Sequence, residues 1–395
     1  MSKKKALIMS IGTGTKVGPE AQQSLAHGLV FSINNHKPDK VFFVVSKESK
    51  VLLPLIKPEI SAKTEIIRIE DPDDINQIYE QLSTKLKEIS TSFDTVTVDF
   101  TSGTKAMTGA LTILSSLYEV DNLSYVTGKR SGGVVIKGTE KLLCISPYSV
   151  ILDKKYAEAA TLFNKYQFDA VLAIIEQVEN IIAELNSSSP ILQLKRAALA
   201  YSAWDRFDHT QAKEMLSEVK VSQFATNKAF LSKLSASAEK EPFYIADLIN
   251  NAQRRGEEGK FDDAVARLYR VIELIGQYRL KAHGIISTAD VPFAKIPAEL
   301  RHIFSDRTGK IRIGLEMDYG FLDAFSDELG KKFKNDKALR NALTRRNESI
   351  YAHGLEPINK ADYQTLVAKA MDFALVAIKN VNALLGEAHF IRWLG

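Results

Sequence analysis

The sequence predicts an α/β domain followed by an all-α region, and three observations predict it. Short β-rich runs alternate with helix-like segments up to about residue 150. Long helix-period patterns then replace them to the C-terminus. Glycine-containing turns follow two of the β-rich runs, at the positions where open parallel sheets hold ligands.

The first half reads as strands over Ala6 to Ile11, Val41 to Val45, Thr64 to Ile69, Thr95 to Phe100 and Leu123 to Val126. Helix-like segments fill the gaps, notably Glu20 to Asn34, Pro72 to Ile89 and Thr104 to Glu119. Strand, helix and strand in succession argue for a mostly parallel, Rossmann-like sheet covered on both faces, with right-handed crossovers. Gly128 to Gly133, with Val134 to Ile136 and Leu142 to Ile145, reads as a small antiparallel addition.

Beyond residue 150 three stretches are weakly alike: Gln167-Phe168-Asp169, Arg206-Phe207-Asp208-His209 and Lys260-Phe261-Asp262. Each is expected to start a helix with an Asp near its first turn and an apolar face behind it. Their unequal spacings, about 39 and 54 residues, indicate helical hairpins rather than a true repeat. The polar, proline-terminated segment Ser235 to Pro242 marks a boundary. The expected divisions are therefore 1–150, 151–240 and 241–395. In the last of these, Leu268, Ile272 and Ile275, and then Leu366, Ala370, Phe373 and Ile378, are read as the core of a four- or five-helix bundle.

Composition narrows the chemistry. At 395 residues with 45% hydrophobic and 25% charged residues, the chain can build two or three ordinary globular cores. A formal charge of +4 disfavours a dedicated duplex-DNA binder. Cys144 is the only cysteine, so an intrachain disulfide and a cysteine-based zinc site are both ruled out. The seven histidines are scattered without metal-ligand spacing, and no metal is expected. The N-terminal apolar run is too short for a signal peptide and no stretch is long enough to span a bilayer, so the expectation is cytoplasmic, with no membrane.

Two turns of the first domain suit an anion. In Ile11-Gly12-Thr13-Gly14-Thr15 small residues let backbone amides approach a ligand, and the helix after Pro19 can add its positive end. In Asp99-Phe100-Thr101-Ser102-Gly103-Thr104-Lys105-Ala106-Met107, three hydroxyls, a glycine and a lysine come together at a strand end. The second turn is not a Walker A loop, which needs G-x-x-x-x-G-K-[ST]. A dinucleotide-dependent oxidoreductase fits poorly, because Ser46 and Lys47 stand at the second strand's tip, where a ribose-binding acid belongs.

The other motif is Arg346-Asn347-Glu348-Ser349-Ile350-Tyr351-Ala352-His353-Gly354. If it is one helix, seven positions return His353 to within about 20° of Arg346, some 10 Å further along the axis. Gly354 and Pro357 would then stop the helix and leave His353 on its last turn, where the dipole favours the imidazolium. An obligate cation beside a titratable imidazole suits RNA cleavage by general acid–base chemistry.

Arg346-Asn347, with six residues between Arg346 and His353, resembles the R-N-x(n)-H signature of HEPN ribonucleases. Asp99 to Met107 resembles the D-x-T-G-G-T-K-x-M element of CARF domains, Rossmann-like sensors of cyclic oligoadenylates, with Ser102 where glycine is usual. Their order and combination match the CARF and HEPN ribonucleases of type III CRISPR immunity. The resemblance implies a homodimer with catalytic Arg346, Asn347 and His353. It also implies a cyclic oligoadenylate activator, cyclic tetra-adenylate ahead of cyclic hexa-adenylate, held by Gly12, Thr13, Gly14, Ser46, Thr101, Ser102, Gly103, Thr104 and Lys105. The implied reaction is metal-independent cutting of single-stranded RNA by its own 2′-hydroxyl to a 2′,3′-cyclic phosphate, with slow cleavage of the activator as a further expectation. A non-catalytic ligand-gated regulator and a HEPN toxin-like ribonuclease with another sensor ligand are the alternatives. A DNA-binding role is not expected, as no helix-turn-helix or basic stripe is present.

Overall fold

The computed structural model describes residues 3–14, 18–118, 120–131, 134–182, 189–305 and 309–395. Thr15 of the first glycine turn, Glu119 at the end of an expected helix, and Gly132 and Gly133 lie outside the described residues. The chain forms two compact units, Met1–Lys155 and Tyr156–Gly395.

The first unit is built on strands β1 (Lys5–Ile11), β2 (Lys40–Val45), β3 (Lys63–Arg68), β4 (Thr95–Asp99) and β5 (Asn122–Thr127), followed by the short β6 (Arg130–Ser131) and β7 (Val134–Val135) and by β8 (Lys141–Ile145). The main sheet has the order β3-β2-β1-β4-β5-β8. Its first five strands are parallel, and β8 joins the β5 edge antiparallel, with Leu123 opposite Ile145. The expected antiparallel addition is two separate pieces, since β6 pairs with β7 in a ladder of its own.

The period of two along each strand divides the core into two layers. Ala6, Ile8, Phe42, Val44, Val96 and Val98 face the helices Ile75–Ser92 and Lys105–Leu117, whose Leu82, Leu86, Leu111 and Leu114 are buried against them. Leu7, Met9, Ile11, Val41, Phe43 and Val45 face the helix Pro19–His36 through Ala26, Leu29 and Ile33. Strands apolar on both faces are what a sheet with helices on both sides requires.

The second unit is helical among its described residues. Each of the three weakly similar stretches does open a helix: Phe168–Glu176, His209–Ser217 and Phe261–Ala282. The turn before each has one residue in the left-handed region, Tyr166 (φ 61°), Phe207 (φ 68°) and Gly259 (φ 76°), directly ahead of the N-cap. Ser326 (φ 62°) does the same before the helix Glu328–Asn335. The alignment of Phe207 with Phe168 and Phe261 is therefore corrected by two positions, because Phe207 occupies the turn while the other two are first helical residues.

The last 155 residues hold seven α-helices among the described residues, rather than four or five. Strong caps subdivide the chain: Asp327 accepts from the Leu329 N–H at 3.0 Å, and Asp336 accepts from the Leu339 N–H at 2.9 Å. Leu268, Ile272, Ile275, Leu366, Ala370, Phe373 and Ile378 are all buried, as their periodicity predicts. The C-terminal segment closes the unit. The ring of Phe390 stacks on Tyr201 with centroids 4.1 Å apart, and the Tyr201 hydroxyl accepts from the Ile391 N–H at 2.9 Å.

Candidate functional site

In the first unit, β1 and β4 are neighbours, so the turns that follow them meet at the sheet's C-terminal edge. The contact is intimate. The Gly12 N–H donates to the Ser102 hydroxyl at 3.0 Å, and the Ser10 hydroxyl donates to the Ser102 carbonyl. A Cβ on Gly12 would come within 2.9 Å of the Gly103 backbone, and Gly103 itself has φ +122°. Only glycines allow these two turns to touch.

Beneath them Asp99 is fully buried. Its carboxylate accepts from Ser32 Oγ at 2.6 Å, Ser124 Oγ at 2.9 Å and the Thr101 N–H at 2.8 Å, which turns the chain sharply out of β4. His36 Nε2 lies 2.9 Å from the Ser124 hydroxyl, and burial pushes this imidazole below its ordinary value against the pull of Asp99's charge. In the sequence Asp99 reads as a strand end and as the first residue of the CARF-like element, with no partners assigned to it. Its burial, which follows from the position of β4 inside the sheet, is what gives it a framework role.

The hydroxyls expected to face a ligand are largely spoken for. Thr101 Oγ1 accepts from the Val126 N–H at 2.8 Å, and Thr104 Oγ1 caps the Lys105–Leu117 helix at the Met107 N–H while donating to the Pro72 carbonyl. Ser46 is buried, its Oγ accepting from the Ser49 N–H at 3.2 Å. Thr13, Gly14 and Lys105 are exposed, and Lys105 has no ion pair among the described residues.

In the second unit the motif departs from a continuous helix. Lys337–Asn347 is helical, and the chain leaves the helix at Glu348. His353 lies in the turns beyond, so its expected place on a last helical turn is corrected, and the shared-face and dipole arguments go with it. A different constraint brings it back: the His353 N–H donates to the Asn347 carbonyl at 3.1 Å, and the Gly354 N–H to the Ser349 carbonyl at 3.3 Å. His353 is exposed, while Ser349 is fully buried.

Arg346 stays in the helix. Its guanidinium lies over the Tyr269 ring, 4.1 Å from the centroid, and Nη1 donates to Asn347 Oδ1 at 3.2 Å. Nε is buried without a partner. Asn347 and Tyr269 also line a cleft of about 330 Å³ with Leu315, Glu316, Met317 and Leu343. Sequence reading missed Tyr269, which lies 77 residues upstream with no motif around it. Among the described residues no group of three or more His, Cys, Asp or Glu side chains is placed to hold a metal ion.

Residues 233–376 match the family model of the Csm6 HEPN domain, and residues 152–243 match that of the Csm6 6H domain. Together the two span more than half of the chain. The chain belongs to the Csm6 family. It is a CRISPR-associated ribonuclease with a helical HEPN region, and its N-terminal domain has a Rossmann-like fold. No curated protein matches the sequence. Among solved structures, this Csm6-type fold is similar to Enterococcus italicus Csm6 bound to cyclic hexa-2′-fluoro-hexa-dAMP, with 12% identity, a TM-score of 0.65 and 98% of each chain covered. The HEPN match contains Arg346, Asn347 and His353. No helix among the described residues is long and apolar enough to cross a membrane.

Proposed function

We propose that this chain is a cyclic oligoadenylate-activated, metal-independent endoribonuclease of type III CRISPR defence, divided into a sensor over 1–150, a helical connection over 151–240 and a catalytic domain over 241–395, and acting in the cytoplasm. The observation that carries the reading is the return of the His353 backbone to the Asn347 carbonyl, which keeps an exposed histidine at the end of the helix that bears Arg346, within a Csm6 HEPN domain.

The substrate is single-stranded RNA. Its own 2′-hydroxyl attacks the adjacent phosphorus, and the 5′-oxygen leaves, giving a 2′,3′-cyclic phosphate and a 5′-hydroxyl. His353 moves the proton. Arg346 holds the charge that grows on the phosphoryl oxygens through its guanidinium. Asn347 orients the guanidinium through its side-chain oxygen. No metal is required to generate the nucleophile, because the substrate already contains it.

Two copies build the site. Ile350, Tyr351 and Leu355 flank His353 and are 68%, 57% and 88% exposed, an apolar rim that a second HEPN domain would cover. In the sensor, the touching turns at Gly12 to Gly14 and Thr101 to Lys105 take the phosphates of the ring, with backbone N–H groups and Lys105 as donors. A ring with internal symmetry suits a symmetric dimer, and its binding biases the arrangement in which the catalytic domains pair. Slow cutting of the activator by a sensor hydroxyl is the further part of the proposal, Thr13 being the exposed one.

The test is cleavage of a fluorophore-quencher RNA in EDTA with cyclic tetra-adenylate, cyclic hexa-adenylate or no ligand. Cleavage with one ring alone supports the reading and names the activator. Cleavage that neither ring stimulates would favour the HEPN toxin-like ribonuclease whose sensor answers to something else, and no cleavage under any condition would favour the non-catalytic regulator.

A further inference from the structure

The cleft beside Arg346 has features that phosphate binding and proton transfer do not use. Its volume, about 330 Å³, lies at the lower end of small-molecule sites. Leu315 and Leu343 form a buried apolar floor, Met317 is half-buried, and Tyr269 offers an aromatic ring at the wall. Glu316 is exposed on the lining, at the start of the Leu315–Ala324 helix, and carries no ion pair among the described residues. A bare carboxylate next to an RNA-cutting centre repels the phosphate backbone, so it is tolerated only where something other than phosphate comes to rest.

We propose that this cleft is the nucleobase subsite of the cutting centre and that Glu316 selects the base there, guanine first; the proposal rests on the ribonuclease reading above. Arg346 and the cleft share Tyr269 and Asn347, so a phosphate held by the guanidinium places its neighbouring base at the cleft mouth. An apolar floor with an aromatic wall receives a base by stacking, as single-stranded RNA readers do. Selection follows from hydrogen-bond chemistry. Ionised Glu316 is acceptor-only, with two oxygens side by side. Guanine presents two adjacent donors on its Watson–Crick edge, N1–H and the N2 amino group, and matches both. Adenine and cytosine present one amino group beside a ring-nitrogen acceptor. Uracil presents a single N–H between two carbonyl oxygens, which the carboxylate repels. The order expected is guanine, then adenine and cytosine, then uracil.

The experiment is cleavage of an RNA pool randomised around the cut, with product ends sequenced, using activated wild type, E316Q and H353A. Wild type should cut next to guanine over uracil by about tenfold, the scale of one bidentate base contact. Glu316→Gln, which can donate as well as accept, should bring that ratio below about threefold. An unbiased wild type, or a Glu316→Gln protein slowed equally at every base, would overturn the subsite while leaving the ribonuclease reading intact. Unimpaired cutting by H353A would remove the ribonuclease reading and the subsite with it. Glu316 is exposed, so E316Q should fold, and its melting temperature reports whether it has.

Discussion

The backbone N–H of His353 donates to the carbonyl oxygen of Asn347 across 3.1 Å, so the last residue of the Lys337–Asn347 helix holds the histidine that follows it by six positions. The loop between them is closed twice more, by the Gly354 N–H on the Ser349 carbonyl and by the Glu356 N–H on the Glu348 carbonyl at 3.0 Å. The return of the His353 backbone to the end of the Arg346 helix is thus a property of a turn rather than of helical periodicity.

Gly354 is the position that turn depends on. A Cβ there would stand 1.9 Å from the Glu348 carbonyl oxygen, a backbone atom that cannot move aside. Gly354→Ala should force the loop open, lowering RNA cleavage by tenfold or more, while the stability loss stays near the ~1–3 kcal/mol typical of overpacking. A cleavage assay beside a thermal melt separates the two effects, and an active, fully stable Gly354→Ala protein would contradict the account.

His353→Ala should cut RNA slower by about 10² to 10⁴ and still bind cyclic oligoadenylate with unchanged affinity by calorimetry. Lys105→Ala should do the reverse: weaker ligand binding by roughly 10- to 100-fold, as for loss of one charged hydrogen bond, and normal cutting once the ligand saturates. The two halves would be misassigned if either substitution produced both defects.

Tyr269 acts on Arg346 through its ring. With the guanidinium 4.1 Å from the centroid, Tyr269→Phe should retain most activity, whereas Tyr269→Ala should lose about 0.5–2 kcal/mol of transition-state stabilisation, or roughly 3- to 30-fold in kcat/KM. Equal losses in both variants would move the effect to the hydroxyl.

Asp318 gives a pH dependence. It is fully buried on the Leu315–Ala324 helix with neither carboxylate oxygen hydrogen-bonded, and burial, followed by the nearby Glu273 charge, pushes it up to about 8 against the pull of Arg270. The folded state therefore holds a proton that the unfolded state releases near 3.8, so this contribution to stability is complete below about 3.8, falls steadily as pH rises from there, and is gone above about 8. Asp318→Asn, which keeps the neutral shape, should be nearly equal to wild type at pH 4 and gain on it by about 1.4 kcal/mol for each pH unit up to 8, several kcal/mol in all. Melting curves at the two pH values decide it, and a constant difference would show that Asp318 does not titrate in that window.

What the sequence determined by itself is local. Strands such as Val41 to Val45, apolar on both faces, already required a sheet covered on both sides, and the periodicity of Leu268, Ile272 and Ile275 already placed them in a helical core. The Asp99 to Met107 and Arg346 to His353 motifs were legible because each is contiguous. Tertiary structure decided what depends on distant partners. It brought Gly12 against Gly103, through a sheet order no local pattern encodes, and it engaged the hydroxyls of Thr101 and Thr104 in the framework. It ended the helix at Asn347, where Gly354 packs against the Glu348 carbonyl, although the residues between have no strong helix breaker. Tyr269 reached Arg346, and Glu316 reached the cleft that Tyr269 lines, only by folding, because a cleft is made of surfaces from separate helices and has no signature in any one of them.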